Sequence, residues 1–178
     1  MKTIKRISII ALFLLFGPGV YAQETGTTPT LAVNKKSYST AIGLRAGGTS
    51  GLTIKQFLGQ RSALEGILGV WGHGFSATLL YENHVNAFGV PGFSWYFGAG
   101  GHAAFHSGHY VYYHRDFRYE YYEPGAFGLG VDGIVGLEYK IPPIPMAISL
   151  DVKPFIEVIS TGRAWMSLDP GLGIKVTF

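Results

Sequence analysis

The stretch His106-Ser-Gly-His-Tyr-Val-Tyr-Tyr-His-Arg-Asp-Phe-Arg-Tyr-Glu-Tyr-Tyr-Glu-Pro124 gathers most of the side chains here that could bind or react. It holds three of the chain's six histidines and six tyrosines, Tyr110, Tyr112, Tyr113, Tyr119, Tyr121 and Tyr122. Tyrosine offers contact area at low entropic cost, and Arg115 and Arg118 can meet carboxylates or phosphates in a forked geometry. The composition therefore points to recognition of a protein, a glycan or a lipid headgroup. Two sharper chemistries use the same residues. His102, His106, His109 and His114 are candidate ligands for zinc, copper or nickel, although their spacing matches no zinc signature. His102, His106, Ser107 and Asp116 are the one set that could supply a histidine, a hydroxyl and an acid for acyl transfer. No Gly-x-Ser-x-Gly turn accompanies them. Catalytic residues and cofactors are accordingly read as none.

Gly128-Leu-Gly-Val-Asp-Gly133 has the spacing of a dinucleotide-binding loop. That loop needs a strand before it and a helix after it, whereas these glycines sit inside an alternating strand. Gly128 and Gly130 are better read as making room for neighbours.

The elements that position these residues read as strands throughout. Ile42, Leu44 and Ala46 alternate with Ala41, Gly43 and Arg45. Leu64, Leu68 and Val70 alternate with Ala63, Glu65 and Gly69, and Phe75, Ala77, Leu79 and Tyr81 with Ser76, Thr78, Leu80 and Glu82. The same dyad pattern runs from Phe93 to Phe105, from Phe127 to Tyr139 and from Ile148 to Val158. A weaker segment at Leu52–Phe57 and a last strand, Gly171-Leu-Gly-Ile-Lys-Val-Thr-Phe178, bring the count to eight. No later segment holds the 18 or so consecutive apolar residues of a membrane-crossing helix.

The two ends of the chain agree. Lys2, Lys5 and Arg6 precede an apolar run from Ile7 to Phe16, and Val20-Tyr21-Ala22 offers small residues at the −3 and −1 positions of a cleavage site. This predicts a secretory leader over residues 1–22, followed by a polar periplasmic lead-in over 23–37 and a single domain over 38–178. The leader takes three of the 14 basic residues, leaving 11 against 11 acidic ones, so the mature chain has almost no net charge. A nucleic-acid partner is therefore not expected. With no cysteine in an exported chain, no disulfide scaffold is available. At the other end, Gly173, Val176 and Phe178 have the types and spacing of a C-terminal barrel-assembly signal.

Charge placement separates a membrane barrel from a soluble sandwich. Within the strands nearly every charge lies on the face opposite the large apolar side chains, and the rest of that face is mostly Gly, Ala and Ser. Such small residues suit a narrow lumen. Large aliphatic and aromatic faces, with Tyr and Trp near strand ends, suit a lipid-facing wall and its interfacial girdles. The predicted fold is all-β, an eight-stranded antiparallel up-and-down transmembrane barrel. Arg45, Lys55, Lys153 and Lys175 would share its lumen with Glu65, Glu82, Asp132, Glu138, Asp151 and Glu157. Such a set could line an ion path; buried charges must be paired, so a salt-bridge network is the reading adopted. An even strand count puts both termini on the periplasmic side. Periplasmic turns are then expected at 59–62, 82–92 and 141–145, and extracellular loops at 47–51, 71–74, 106–124 and 159–166.

On these residues the chain resembles the small eight-stranded outer-membrane barrels of the OmpA/OmpX-like superfamily. The stretch from Gly136 to Pro154 is similar to the penultimate hairpin of Bacteroidota-type barrels. The resemblance implies location in the outer membrane of a Gram-negative bacterium. The partners it implies are outer-membrane lipid and lipopolysaccharide, the barrel-assembly machinery, and a surface protein or glycan ligand. It implies no activity, because that superfamily includes adhesins, structural proteins, inhibitors and lipid-modifying enzymes. The expected role is non-enzymatic, structural or in surface recognition through the loop 106–124. The alternatives are a lipid-A-modifying or metal-binding barrel, or a subunit of a larger membrane complex.

Overall fold

The computed structural model describes residues 38–71, 74–107, 109–114, 117–122, 125–160, 162 and 164–178, and over 109–122 it describes the backbone. The expected leader and lead-in lie outside these residues. Ten strands follow in chain order: β1 (Thr40–Gly47), β2 (Thr49–Phe57), β3 (Ser62–Trp71), β4 (Gly74–Asn86), β5 (Phe93–His106), β6 (His109–His114), β7 (Phe117–Tyr122), β8 (Ala126–Ile141), β9 (Met146–Ile159) and β10 (Ala164–Thr177). Eight close into a barrel in the order β1-β10-β9-β8-β5-β4-β3-β2, every neighbour antiparallel. The strands β6 and β7 form a separate two-stranded ribbon between β5 and β8.

Closure joins the first strand to the last. Leu44 lies between Leu52 of β2 and Ile174 of β10. Beyond the ladder, the Phe178 amide donates to the Thr40 carbonyl, and the Ser39 amide donates to the Phe178 carbonyl. A closed sheet leaves no edge with unpaired amides, which a strand bundle in lipid requires. The start of β1 and the end of β10 therefore lie at one mouth, the terminal end; the β6–β7 ribbon marks the opposite, loop end.

The sides of the wall are inverted relative to a water-soluble domain. Leu44 is 62% exposed and Val131 63%, whereas Lys55, Glu82 and Asp169 are 0% exposed. The dyad repeat sends alternate side chains to opposite faces, so one pattern fixes both surfaces. The lumen is not wholly polar. Ile67, Leu80, Tyr96 and Ile134 form a buried apolar cluster inside it, and Tyr38, Ala41, Phe57 and Ala63 form another at the terminal end.

Several expected boundaries shift. The first turn at the loop end is Gly48 alone, because residues 49–51 already pair with β3. The fourth strand continues to Asn86, so the turn expected from 82 begins at Ala87. Most of the expected loop 106–124 is ribbon. The β8–β9 ladder skips between Asp132↔Phe155 and Val135↔Val152, at Pro154, which has no amide hydrogen to donate.

Candidate functional site

The lumen-facing charges separate into two networks. Towards the terminal end, Lys55 is the hub: its Nζ lies 2.9 Å from Glu65, 2.8 Å from Glu82 and 3.1 Å from Glu138. Lys175 adds a second cation, 2.6 Å from Glu65 and 3.9 Å from Glu138. Hydroxyls complete the carboxylates, Thr53 donating to Glu65 and Tyr38 to Glu138, while His84 sits 3.2 Å from Glu82. Three strands thus present carboxylates to one ammonium, which makes the mutual repulsion of these buried groups tolerable.

Towards the loop end, Arg45 reaches Asp151 at 2.6 Å and Asp169 at 3.1 Å. Lys153 bridges Asp169 at 3.2 Å and Asp132 at 3.0 Å. His102 lies between two carboxylates, Nδ1 at 2.8 Å from Asp132 and Nε2 at 2.9 Å from Glu157. His106 and the Trp165 indole share the other oxygen of Glu157, at 2.6 and 3.3 Å. Asp169 also accepts from the Thr49 amide and hydroxyl at 2.8 and 2.7 Å, tying β10 to the start of β2. Above this network lies a cavity lined by Trp71, Ser76, Thr78, His106, Phe155 and Glu157. Among the described residues no ion pair joins the two networks. Tyr96 spans them, its ring 4.3 Å from Lys55 Nζ and its hydroxyl donating to Asp151 at 3.0 Å.

The small residues on the lumen face have a sharper role than filling space. A Cβ on Gly130 would stand 2.2 Å from His102 Cε1, one on Gly128 2.4 Å from Glu157 Oε1, and one on Gly171 2.3 Å from Arg45 Cζ. On Gly136 it would meet the Tyr96 ring at 2.5 Å. Each of these glycines makes room for a long side chain that lies across it from another strand, so the network and the glycines are one packing solution.

All ten charged residues expected in the lumen, Arg45, Lys55, Glu65, Glu82, Asp132, Glu138, Asp151, Lys153, Glu157 and Lys175, are buried there. The sequence reading missed Asp169 and His84, and it did not anticipate Ile67 and Ile134 on the inner face. Asp169 is flanked by Pro170, which obscured the strand pattern, and His84 falls between two asparagines in a segment that looked like a turn.

Of the four candidate metal ligands, the side chains of His102 and His106 are described. Both ring nitrogens of His102 are within hydrogen-bond distance of carboxylates, and His106 Nε2 lies 2.6 Å from Glu157. Among the described residues no cluster of histidines and carboxylates suited to a metal ion occurs. Of the acyl-transfer set, His102 and His106 turn into the lumen, and Asp116 lies outside the described residues. The side chains of Tyr110, Tyr112, Tyr113, Arg115, Arg118, Tyr119, Tyr121, Tyr122, His109 and His114 lie outside the described structure. Along the ribbon the backbone register pairs His109 with Tyr122, Tyr110 with Tyr121, Tyr112 with Tyr119 and Tyr113 with Arg118.

Fold and lumen together define a closed eight-stranded antiparallel β-barrel with a filled, ion-paired interior. The N-terminal β-barrel domain of Pseudomonas aeruginosa OprF is similar, with a TM-score of 0.53 and 17% identity over 78% of this chain and 95% of that one. The two share a β-barrel fold. The chain matches no protein-family model and no curated protein.

Proposed function

We propose that this chain is a non-enzymatic integral barrel of a Gram-negative outer membrane, of the Bacteroidota type, which recognises a surface ligand through the β6–β7 ribbon. The observation that carries the membrane reading is the inverted burial: fully enclosed charges inside a wall whose outward side chains are predominantly apolar. Placed in water, that wall would be an apolar surface far larger than a monomeric soluble protein exposes. At the terminal end Phe88, Phe93, Trp95 and Tyr139 form a chain of ring contacts 5.7–5.9 Å apart, which suits a membrane–water interface. The expected leader over residues 1–22, the closing strand with Phe178 just beyond it, and the likeness to the OprF barrel domain support the same location.

On this reading the terminal end faces the periplasm and the ribbon stands outside the cell. The partners are then membrane lipid and lipopolysaccharide, and the barrel-assembly machinery, which would read Gly173, Val176 and Phe178. Deleting Phe178 should lower the amount of folded barrel in outer membranes severalfold, read as the heat-shifted band on a semi-native gel. An unchanged band would remove the assembly signal from the account.

The ribbon reading rests on its six tyrosines and on the closed barrel that carries it, the usual arrangement for a recognition surface. Deleting residues 108–122 should leave the heat-shifted band intact and abolish binding to lipopolysaccharide, to glycan arrays and to surface proteins of the same cells. Binding that survives the deletion would exclude the ribbon as the recognition element.

A further inference from the structure

We propose that the cavity at the loop end is a binding site for an uncharged pyranose sugar. It holds about 330 Å³ of space between atoms, counting the part that opens to solvent. Two features point to a ligand. Ser76 and Thr78 follow one another on the inner face of β4 and line the cavity; each is more than nine-tenths buried, and neither hydroxyl has a hydrogen-bond partner among the described residues. The register sets Ser76 beside Ala104, whose methyl offers it no bond. Buried hydroxyls are nearly always satisfied, so two unpaired ones facing a cavity mark a place for a partner. The second feature is an aromatic wall. Trp71 and Phe155 line the cavity, Trp165 stacks on Trp71 at 4.7 Å and 16°, and Phe155 stands edge-on to both at 5.2 Å. These contacts fix the rings in place without a ligand, which lowers the cost of binding one. Trp71 and Trp165 are half-buried, so the wall runs from solvent into the lumen.

The charges around the cavity decide the class of ligand. At this end of the lumen four carboxylates, Asp132, Asp151, Glu157 and Asp169, face four groups able to carry positive charge, Arg45, Lys153, His102 and His106. His84 belongs to the other network, against Glu82. Glu157, the carboxylate that lines the cavity, already meets His102, His106 and the Trp165 indole. These groups satisfy one another and call for neither a cation nor an anion. What the cavity offers unpaired is two hydroxyls, each able to donate and to accept, beside aromatic rings. A pyranose matches both: its hydroxyls donate and accept, and its C–H face is attracted to the negative face of an aromatic ring.

Saturation-transfer NMR on the purified, refolded barrel in detergent tests this with glucose, galactose, mannose and N-acetylglucosamine. Glucosamine and glucuronate serve as charged counterparts, and phenol as an apolar one. At least one neutral sugar should receive saturation and quench the tryptophan fluorescence at millimolar concentration, more strongly than either charged sugar. Ser76→Ala/Thr78→Val should weaken that affinity about tenfold through the loss of two hydrogen bonds, and should not lower the urea midpoint, because neither hydroxyl has a protein partner to lose. Ser149→Ala removes another unpartnered buried hydroxyl, outside the cavity, and should leave binding unchanged. Folding of each variant is read from the heat shift. Should the double variant fail to fold, Ser76→Ala and Thr78→Val singly should each weaken binding. A cavity that holds only water predicts no saturation of any sugar. That result, binding of phenol alone, preference for a charged sugar, or full affinity in a folded variant lacking these hydroxyls would each overturn the proposal.

Discussion

Lys55→Met should cost the barrel about 3–5 kcal/mol, the cost of stranding buried charge. Lys55 is fully buried and lies within 3.1 Å of three carboxylates, on β3, β4 and β8. Among the described residues, Glu65 then keeps Lys175 and the Thr53 hydroxyl, Glu138 keeps Lys175 and the Tyr38 hydroxyl, and Glu82 keeps His84. Urea titration of the refolded protein in detergent or bilayers, followed by the heat-shifted band, reads the loss. The partner experiment separates pairing from packing: adding Glu82→Gln to Lys55→Met should return part of the stability, because one stranded charge goes with its partner. Equal stability of wild type and Lys55→Met would show that the lumen is hydrated enough to solvate these groups singly.

Gly171→Val should be as damaging as the loss of Arg45, although it removes no charge. The new Cβ would lie 2.3–2.4 Å from three atoms of the Arg45 guanidinium. That guanidinium is held by Asp151, by Asp169 and by the Thr49 carbonyl at 2.8 Å, so it cannot step aside without abandoning them. Overpacking of about 1–3 kcal/mol is relieved only by breaking a buried pair, with a total on the order of 4 kcal/mol. Gly59→Val is the control. Nothing lies within 4 Å of a Cβ there, and the substitution should stay within about 0.5 kcal/mol. The same urea titration compares the two, and equal stabilities would show that glycine at 171 has no packing role.

The fold was legible because a barrel wall writes the same alternation into every strand. Leu44, Leu79, Leu129 and Ile174 stand on the outer face and Arg45, Glu82, Asp132 and Lys175 on the inner one, as dyad counting requires. Counting gives the face of a residue but not its neighbours, which depend on how far each strand is staggered against the next. That Lys55 would meet Glu65, Glu82 and Glu138, while Lys153 met Asp132 and Asp169, was therefore not readable. Gly130 and Gly171 looked like filler for the same reason, since each is explained by a side chain from a distant part of the sequence. Asp169 was hidden beside Pro170, where a proline argues against a strand interior; here Pro170 sits just beyond the last β1–β10 pair, Gly47↔Gly171, where no ladder partner is lost. The division of the lumen by Tyr96 and its aliphatic neighbours needed the closed barrel, because Leu80 and Ile134 are ordinary strand residues until the wall is curved around them.

A semi-native gel of host membranes, blotted for this protein with and without boiling, tests the central claim most directly. An integral barrel that folds on its own predicts that the protein fractionates with the outer membrane and runs as a monomer-sized band whose position shifts on heating. Recovery in the soluble fraction, with one mobility before and after boiling, would contradict it.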